Sequence, residues 1–198
     1  MVQCFQVALQ SHSDCYVSFV CALPTHNIGF PTCFRSWTSE TNASYNCSIV
    51  EAARATSAAA PFFKGITIGK ETYGDALGLN NPVKRVVSEA ESAFPNCKIS
   101  CLLSLGTGGP EIIGSDSKLI QVLKGIATNC EAVSKDVARD LHGKGIYFRL
   151  NVDAGLPLVE WTNLGTVREH TIAYLQKAEV DTEVDRLLVI LDKQLTEL

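Results

Sequence analysis

Apolar residues that are β-branched or aromatic cluster in short runs along the chain, which is the pattern of β-strands. Residues 16–22 form one such run and residues 32–37 a second, so we predict two neighbouring strands joined by a turn at 25–29. Residues 98–105 are almost continuously apolar, as in a central strand that is covered on both faces. A fourth strand is predicted at 146–152.

The first predicted helix has a clear beginning and end. Ser48 is followed three residues later by Glu51, which is the signature of a capping box at a helix N-terminus. This helix should run to about Ala59 and stop before Pro61. Six alanines between residues 52 and 60 leave little side-chain bulk, so we expect another element to approach the helix backbone closely.

The other elements complete a mixed pattern. Four more helices are predicted at 82–94, 116–141, 166–177 and 181–195. The glycine-punctuated segment 62–79 is predicted as a loop, with one short strand at 66–68. Strands and helices therefore alternate irregularly along the chain, which is typical of a layered α/β domain.

Composition narrows the function classes. Of 198 residues, 46% are hydrophobic and 19% charged, which predicts a packed domain. The 17 Lys and Arg are outnumbered by 21 Asp and Glu, so a nucleic-acid partner is not expected.

Two features bear on the expected location of the protein. Met1–Gln10 lacks the basic start of a signal peptide, so no signal peptide is predicted there. The eight cysteines contain no C-x-x-C pair, so we expect reduced thiols in a cytoplasmic protein and no zinc site.

Two familiar catalytic signatures are not matched. Gly106–Gly109 is glycine-rich, but Pro110 and Glu111 follow where a phosphate-binding P-loop needs Gly-Lys-Ser/Thr. We interpret this segment as a strand end that turns sharply. The G-x-S-x-G motif that holds a hydrolase serine does not occur in the 198 residues.

Asp75 is the candidate catalytic residue. It lies in the glycine turn 73–78, shortly before the predicted helix at 82–94. A carboxylate in such a turn can be held by the backbone and aimed at a cleft, as a general base requires. The alternative interpretation is an ordinary turn aspartate that bonds to its own backbone.

Several segments carry motifs that occur together in one protein family. Residues 47–63 include A-A-R-A-T-S-A-A-A-P, residues 74–83 read G-D-A-L-G-L-N-N-P-V, residues 104–108 read S-L-G-T-G, and residues 146–152 read I-Y-F-R-L-N-V. In this order they resemble the alanine-rich helix, the D-G-[GA]-L-x-x-N-N-P segment, the S-[IL]-G-T-G strand end and the Y-x-R-x-N-V strand of fungal-type patatin-like phospholipases. Over about residues 15–175 the chain resembles the C-terminal part of a patatin domain.

The resemblance implies a three-layer α/β/α patatin-like fold that is incomplete, because the family's N-terminal strands and nucleophile elbow are missing. It also implies a lipid acyl hydrolase with a Ser-Asp dyad, without metal or cofactor, in which Asp75 is the acid. The family's Asp stands six residues before the first Asn of N-N-P, whereas Asp75 stands five before Asn80. Either one residue is deleted and Asp75 takes the same place, or Asp75 and Gly74 have exchanged places.

The expected function is therefore that of a part of a patatin-like hydrolase of lipid esters, which carries the Asp, lacks the Ser and is inactive alone. The alternative is a non-catalytic interaction or regulatory module that retains the scaffold. We expect a lipid acyl-ester substrate once the missing half is supplied, peripheral contact with membranes, and self-association through exposed sheet edges. The expected organisation is a poorly defined segment 1–14, the patatin-like part 15–178 and a C-terminal helix 179–198.

Overall fold

The fold is given by a computed structural model that describes residues 7–9, 17–27, 30–39, 45–59, 63–75, 81–106, 108, 118–152 and 164–196, with only the backbone for 7–9, 118–128, 194 and 195. The described residues form seven strands and five helices, which confirms the predicted α/β class and is compatible with an incomplete α/β/α fold. In chain order the elements are β1 (Val7–Leu9), β2 (Phe19–Pro24), β3 (Thr32–Arg35), α1 (Ile49–Thr56), β4 (Ile66–Ile68), β5 (Glu71–Asp75), α2 (Val83–Ala93), β6 (Ile99–Leu105), α3 (Lys118–Asp140), β7 (Tyr147–Leu150), α4 (Leu164–Leu175) and α5 (Ala178–Thr196).

These elements fall into two compact units, each with its own sheet. The first unit is an antiparallel sheet in the order β3-β2-β5-β4, with α1 packed on it. β2 and β3 pair as predicted, and the buried thiols of Cys21 and Cys33 face each other at 3.7 Å. In the core of this unit the rings of Phe34 and Tyr73 meet edge to face with centroids 5.0 Å apart.

Helix α1 begins as its sequence predicts. The Ser48 Oγ accepts a hydrogen bond from the Glu51 N–H at 3.2 Å, and the Glu51 carboxylate accepts one from the Ser48 N–H at 2.8 Å. The helix ends at Thr56, short of the predicted Ala59, because the backbone leaves helical geometry at Ser57. Ala55 is fully buried against the sheet, so the alanine-rich sequence does allow a close approach of helix and strands.

The prediction of a loop over 62–79 is wrong in part, because this segment contains a β-hairpin. The predicted short strand is β4, and Gly69, with φ at 64°, allows the tight turn into β5. The local pattern of β5 is too short to predict a strand, because only Thr72 and Tyr73 favour one and Gly74 follows directly. Its stability comes from non-local contacts, namely its pairing with β2 and the burial of Tyr73 in the core.

The second unit contains a three-stranded sheet in the order β1-β6-β7. β6 lies in the centre, as its continuous apolar sequence predicts, antiparallel to β1 and parallel to β7. Leu102 and Phe148 are fully buried, and Phe148 packs with Cys101 and with Leu187 of α5. Because β6 and β7 are parallel, their carboxyl ends lie side by side at one edge of the sheet.

The helices of the second unit agree with the sequence analysis. The ends of α2, α3, α4 and α5 differ from the predicted ends by at most three residues, which is within the usual fraying of helix termini. The short strand β1 lies within the segment 1–14, where the sequence predicts no element. Among the helices that the structure describes, none has the length and apolar composition needed to cross a membrane.

Candidate functional site

Asp75, the candidate base, is the last residue of β5 in the first unit. It lies opposite Ala22 of β2, a residue with no exposed surface. Its backbone N–H donates a hydrogen bond to the Ala58 carbonyl oxygen at 3.1 Å, in the segment that follows α1. The backbone that carries the carboxylate is therefore held both by the sheet and by the chain leaving α1.

The C-terminal end of α1 is itself fixed to the sheet. The buried Thr56 hydroxyl donates a hydrogen bond to the Cys21 carbonyl oxygen of β2 at 2.7 Å. Ala55 and Ala58 on either side are almost completely buried. A larger residue at these positions would push the helix away from β2, so the alanines keep the end of α1 next to the end of β5.

Part of the predicted site falls outside the described residues. Residues 76–80 are not described, so the two alternatives for the spacing between Asp75 and Asn80 both stay predictions. Asn81, which follows directly, is buried. Thr107 and residues 109–117 also lie outside the described residues, and they include two of the four residues of the glycine-rich strand end.

The second unit brings together polar residues at the carboxyl ends of β6 and β7. The Asn151 side-chain oxygen accepts a hydrogen bond from the Gly108 N–H at 3.0 Å, and the Arg149 guanidinium donates one to the Ser104 Oγ at 2.8 Å. Gly106 lies between them, and a Cβ there would lie 2.7 Å from the Arg149 Nη2 and would overlap the Asn151 side chain. An alanine at this position would therefore force the ends of both side chains to move. Gly108 has φ at 91°, in the left-handed region that favours glycine.

The roles of Arg149 and Asn151 were not assigned by the sequence analysis. Both lie on or beside a predicted strand, and alternation along a strand does not show which neighbour a polar side chain meets. A signal does exist in the resemblance, since both residues occupy the polar positions of the Y-x-R-x-N-V strand. Their partners, Ser104 and Gly108, lie in the other strand-end motif, which only the fold brings next to them.

Two thiols of the second unit, those of Cys101 and Cys130, are poorly suited as nucleophiles. Burial raises the pKa of the Cys101 thiol above its ordinary value. Burial also raises the pKa of Cys130, and the nearby Arg149 guanidinium only partly opposes this effect. A protonated thiol is a weak nucleophile, so neither residue offers a cysteine-based alternative to a serine mechanism. Within the described ranges, no three His, Cys, Asp or Glu residues are grouped closely enough to hold a metal ion.

Comparison with known proteins gives one informative relative. The chain is 28% identical over 159 residues to the calcium-independent phospholipase A2-gamma of Rattus norvegicus. The aligned region covers 75% of this chain but only 20% of the rat protein, so the chain spans about a fifth of that relative's length. No protein-family model and no solved structure matches the chain.

Proposed function

We propose that this chain is part of a patatin-like lipid acyl hydrolase that acts on phospholipids, and that it carries the acid of the Ser-Asp dyad at Asp75. The observation that carries the proposal is the position of Asp75 at the end of β5, where the sheet and the Ala58 carbonyl hold its backbone. The order of the four motif segments and the similarity to a phospholipase support the same assignment.

In the proposed reaction the Asp75 carboxylate accepts the proton of a serine hydroxyl while the serine oxygen attacks the acyl carbonyl carbon of the lipid. The resulting oxyanion needs backbone N–H donors to stabilise it. The ester bond then breaks, the leaving alcohol takes the proton from Asp75, and water hydrolyses the acyl-enzyme by the reverse roles. Because G-x-S-x-G does not occur in the 198 residues, this proposal requires a second segment that supplies the serine. The family resemblance implies that the oxyanion donors also belong to that segment.

Complementation tests this proposal directly. The 198-residue chain is mixed with a patatin-family segment that carries the glycine-rich loop and G-x-S-x-G, and phospholipid hydrolysis and labelling by a fluorophosphonate probe are measured. We expect neither part alone to hydrolyse phospholipid. The mixture should hydrolyse it and should be labelled by the fluorophosphonate probe. Asp75→Asn should abolish both signals, whereas Asp140→Asn, which removes an exposed carboxylate of α3, should leave them unchanged.

The competing proposal is a non-catalytic module that retains the scaffold. The missing serine motif and the shorter spacing between Asp75 and Asn80 favour it. It predicts that the two parts associate but that the mixture neither hydrolyses lipid nor reacts with the probe. Activity in the mixture that survives Asp75→Asn would contradict the assignment of the base, and activity of the isolated chain would contradict both proposals.

A further inference from the structure

A cavity of about 440 Å³ lies within the second unit, in a size range that fits a small metabolite or a lipid headgroup. Residues of α3, β7, α4 and α5 form its walls. The polar residues that line it are Ser134, Lys135, Tyr147, Arg149, Tyr174, Glu179 and Glu183. All of them lie far along the chain from Asp75, and the sequence analysis assigned no function to any of them.

Arg149 is the partly buried cation in this wall, and it has no ion-pair partner among the described residues. Its guanidinium donates one hydrogen bond, to the buried Ser104 Oγ at 2.8 Å. Its Nε is buried without a hydrogen-bond partner, and no carboxylate of the described residues forms an ion pair with it. Water can accept hydrogen bonds from the exposed part of this guanidinium, but an anion would in addition neutralise its partly desolvated charge. This residue therefore points to an anionic ligand.

Three hydroxyl groups in the same cavity add hydrogen-bond donors. Ser134 and Tyr147 share one hydrogen bond at 2.9 Å, which leaves the second O–H of the pair available. The Tyr174 hydroxyl oxygen accepts a bond from the Asn151 N–H at 3.1 Å, so its own O–H can be donated. Two O–H donors are therefore available, one from the Ser134–Tyr147 pair between α3 and β7 and one from Tyr174 of α4. A tetrahedral phosphate, which presents oxygens in several directions, matches them better than a planar carboxylate does.

The acidic residues of the cavity indicate a second group on the ligand. Glu183 is engaged by Arg186 at 2.6 Å. Glu179, by contrast, forms no ion pair within the described part of the chain, and the same is true of Lys135. An additional cation on the ligand would neutralise Glu179, whereas a bare phosphate dianion would be repelled by it.

We propose that this cavity binds a phosphate ester that carries an amine. The phosphate is bound by Arg149, Lys135 and the hydroxyl groups, and the amine lies at Glu179. Such a ligand is either a free phosphoamine or the headgroup of a phospholipid. The proposal does not depend on the dyad, because every residue it uses lies in the second unit and Asp75 lies in the first.

Calorimetric titration of the 198-residue chain with phosphoethanolamine and with inorganic phosphate tests the proposal. We expect phosphoethanolamine to bind more tightly. Arg149→Lys and Lys135→Gln should each weaken its binding about tenfold or more, as expected for the loss of a charge-assisted hydrogen bond. Glu179→Gln should weaken the binding of phosphoethanolamine but not that of inorganic phosphate. Because Lys135 and Glu179 are exposed, their replacement does not threaten folding.

Matched controls and a second ligand form make the outcomes decisive. Lys144→Gln and Glu169→Gln remove exposed charges of the same unit outside the cavity and should change nothing. Flotation with phosphatidylethanolamine vesicles shows which form of the ligand the chain binds. If the chain floats with the vesicles and Glu179→Gln reduces this binding, the ligand is a lipid headgroup. If the chain binds only free phosphoethanolamine, the ligand is a soluble phosphoamine. No binding of either form, or equal binding of both titrants that Glu179→Gln leaves unaffected, would overturn the proposal.

Discussion

Thr56 shows how a single hydroxyl can position the candidate base. It connects α1 to β2 through a buried hydrogen bond of 2.7 Å, next to the residues whose backbone holds Asp75. Thr56→Val keeps the shape of the side chain but leaves the Cys21 carbonyl oxygen without this donor. We expect the first unit to lose about 1–3 kcal/mol of unfolding free energy.

Urea unfolding followed by the fluorescence of Trp37 measures this loss, in a Trp161→Phe background that removes the second tryptophan. The matched control is Thr67→Val. Thr67 also donates or accepts a side-chain hydrogen bond, to Thr72, but on an exposed surface where water can replace it. The control should change stability by less than about 0.5 kcal/mol. Equal effects of the two substitutions would mean that the buried bond has no special role.

Gly106 lies at the carboxyl ends of β6 and β7, where the side chains of Arg149 and Asn151 come close to it. A methyl group there would collide with the Arg149 guanidinium and with the Asn151 side chain, which holds Gly108 at 3.0 Å. Gly106→Ala should therefore destabilise the second unit by about 1–3 kcal/mol. It should also speed the hydrogen exchange of the Gly108 amide, because Asn151 must move away from it.

The comparison for Gly106 is Gly165→Ala, in the first turn of α4. An added Cβ at Gly165 meets no atom within 4 Å, and alanine favours the helix. This substitution should be neutral or stabilise the protein by up to about 1 kcal/mol. Unchanged exchange at Gly108 in Gly106→Ala would show that the two side chains can rearrange freely.

At the scale of the element, α1 gives a prediction about pH. The backbone N–H and hydroxyl of Ser48 donate hydrogen bonds to the Glu51 carboxylate and lower its pKa below the ordinary 4.5. A lowered pKa in the folded state means that the stabilisation is complete above pH 4.5 and is lost as the pH falls through the folded-state pKa. Glu51→Gln keeps an acceptor for the capping box but no charge.

The melting temperature of Glu51→Gln should therefore be lower than that of the parent chain at pH 7. The difference should be smaller at pH 3, because the stabilisation from the Glu51 charge is lost as the pH falls below 4.5 and through the folded-state pKa. Circular dichroism at the two pH values measures it. Glu91→Gln, an exposed site on α2, removes the same charge without a cap and should show a smaller dependence on pH. A difference that stays constant from pH 7 to pH 3 would contradict the proposed role of the Glu51 charge.

The elements also show which part of the fold the sequence encodes locally. α1, β6 and the helices of the second unit follow from capping residues and apolar periodicity, which act within a few residues. β5 does not, because Thr72 and Tyr73 are too short a run to predict a strand next to Gly74, and the strand is stabilised by β2, about 50 residues earlier. The same limit applies to the site: Asp75 could be selected from its turn, but the Ala58 contact and the partners of Arg149 arise only from the three-dimensional fold.

At the scale of the whole molecule, large apolar side chains remain accessible to solvent. Ile49 and Val50, at the start of α1, are 89% and 77% exposed, and Phe30 is 74% exposed. In addition, β3 and β4 end the first sheet, and β1 and β7 end the second, as far as the described residues extend. Exposed apolar side chains and unpaired strand edges both favour association between copies of a chain. We therefore predict that the isolated chain self-associates.

Light scattering after gel filtration measures this association, and the start of α1 offers a way to separate its causes. Ile49→Glu with Val50→Glu adds two carboxylates at a helix N-terminus, where negative charge is favourable. It also removes the two most exposed large apolar side chains among the described residues. We expect this double variant to shift the chain towards the monomer. Ser88→Glu with Ser92→Glu adds the same charge at exposed positions of α2 and should shift it much less. If both variants reduce association equally, net charge rather than the apolar surface controls it. A parent chain that is monomeric at all concentrations would contradict the prediction itself.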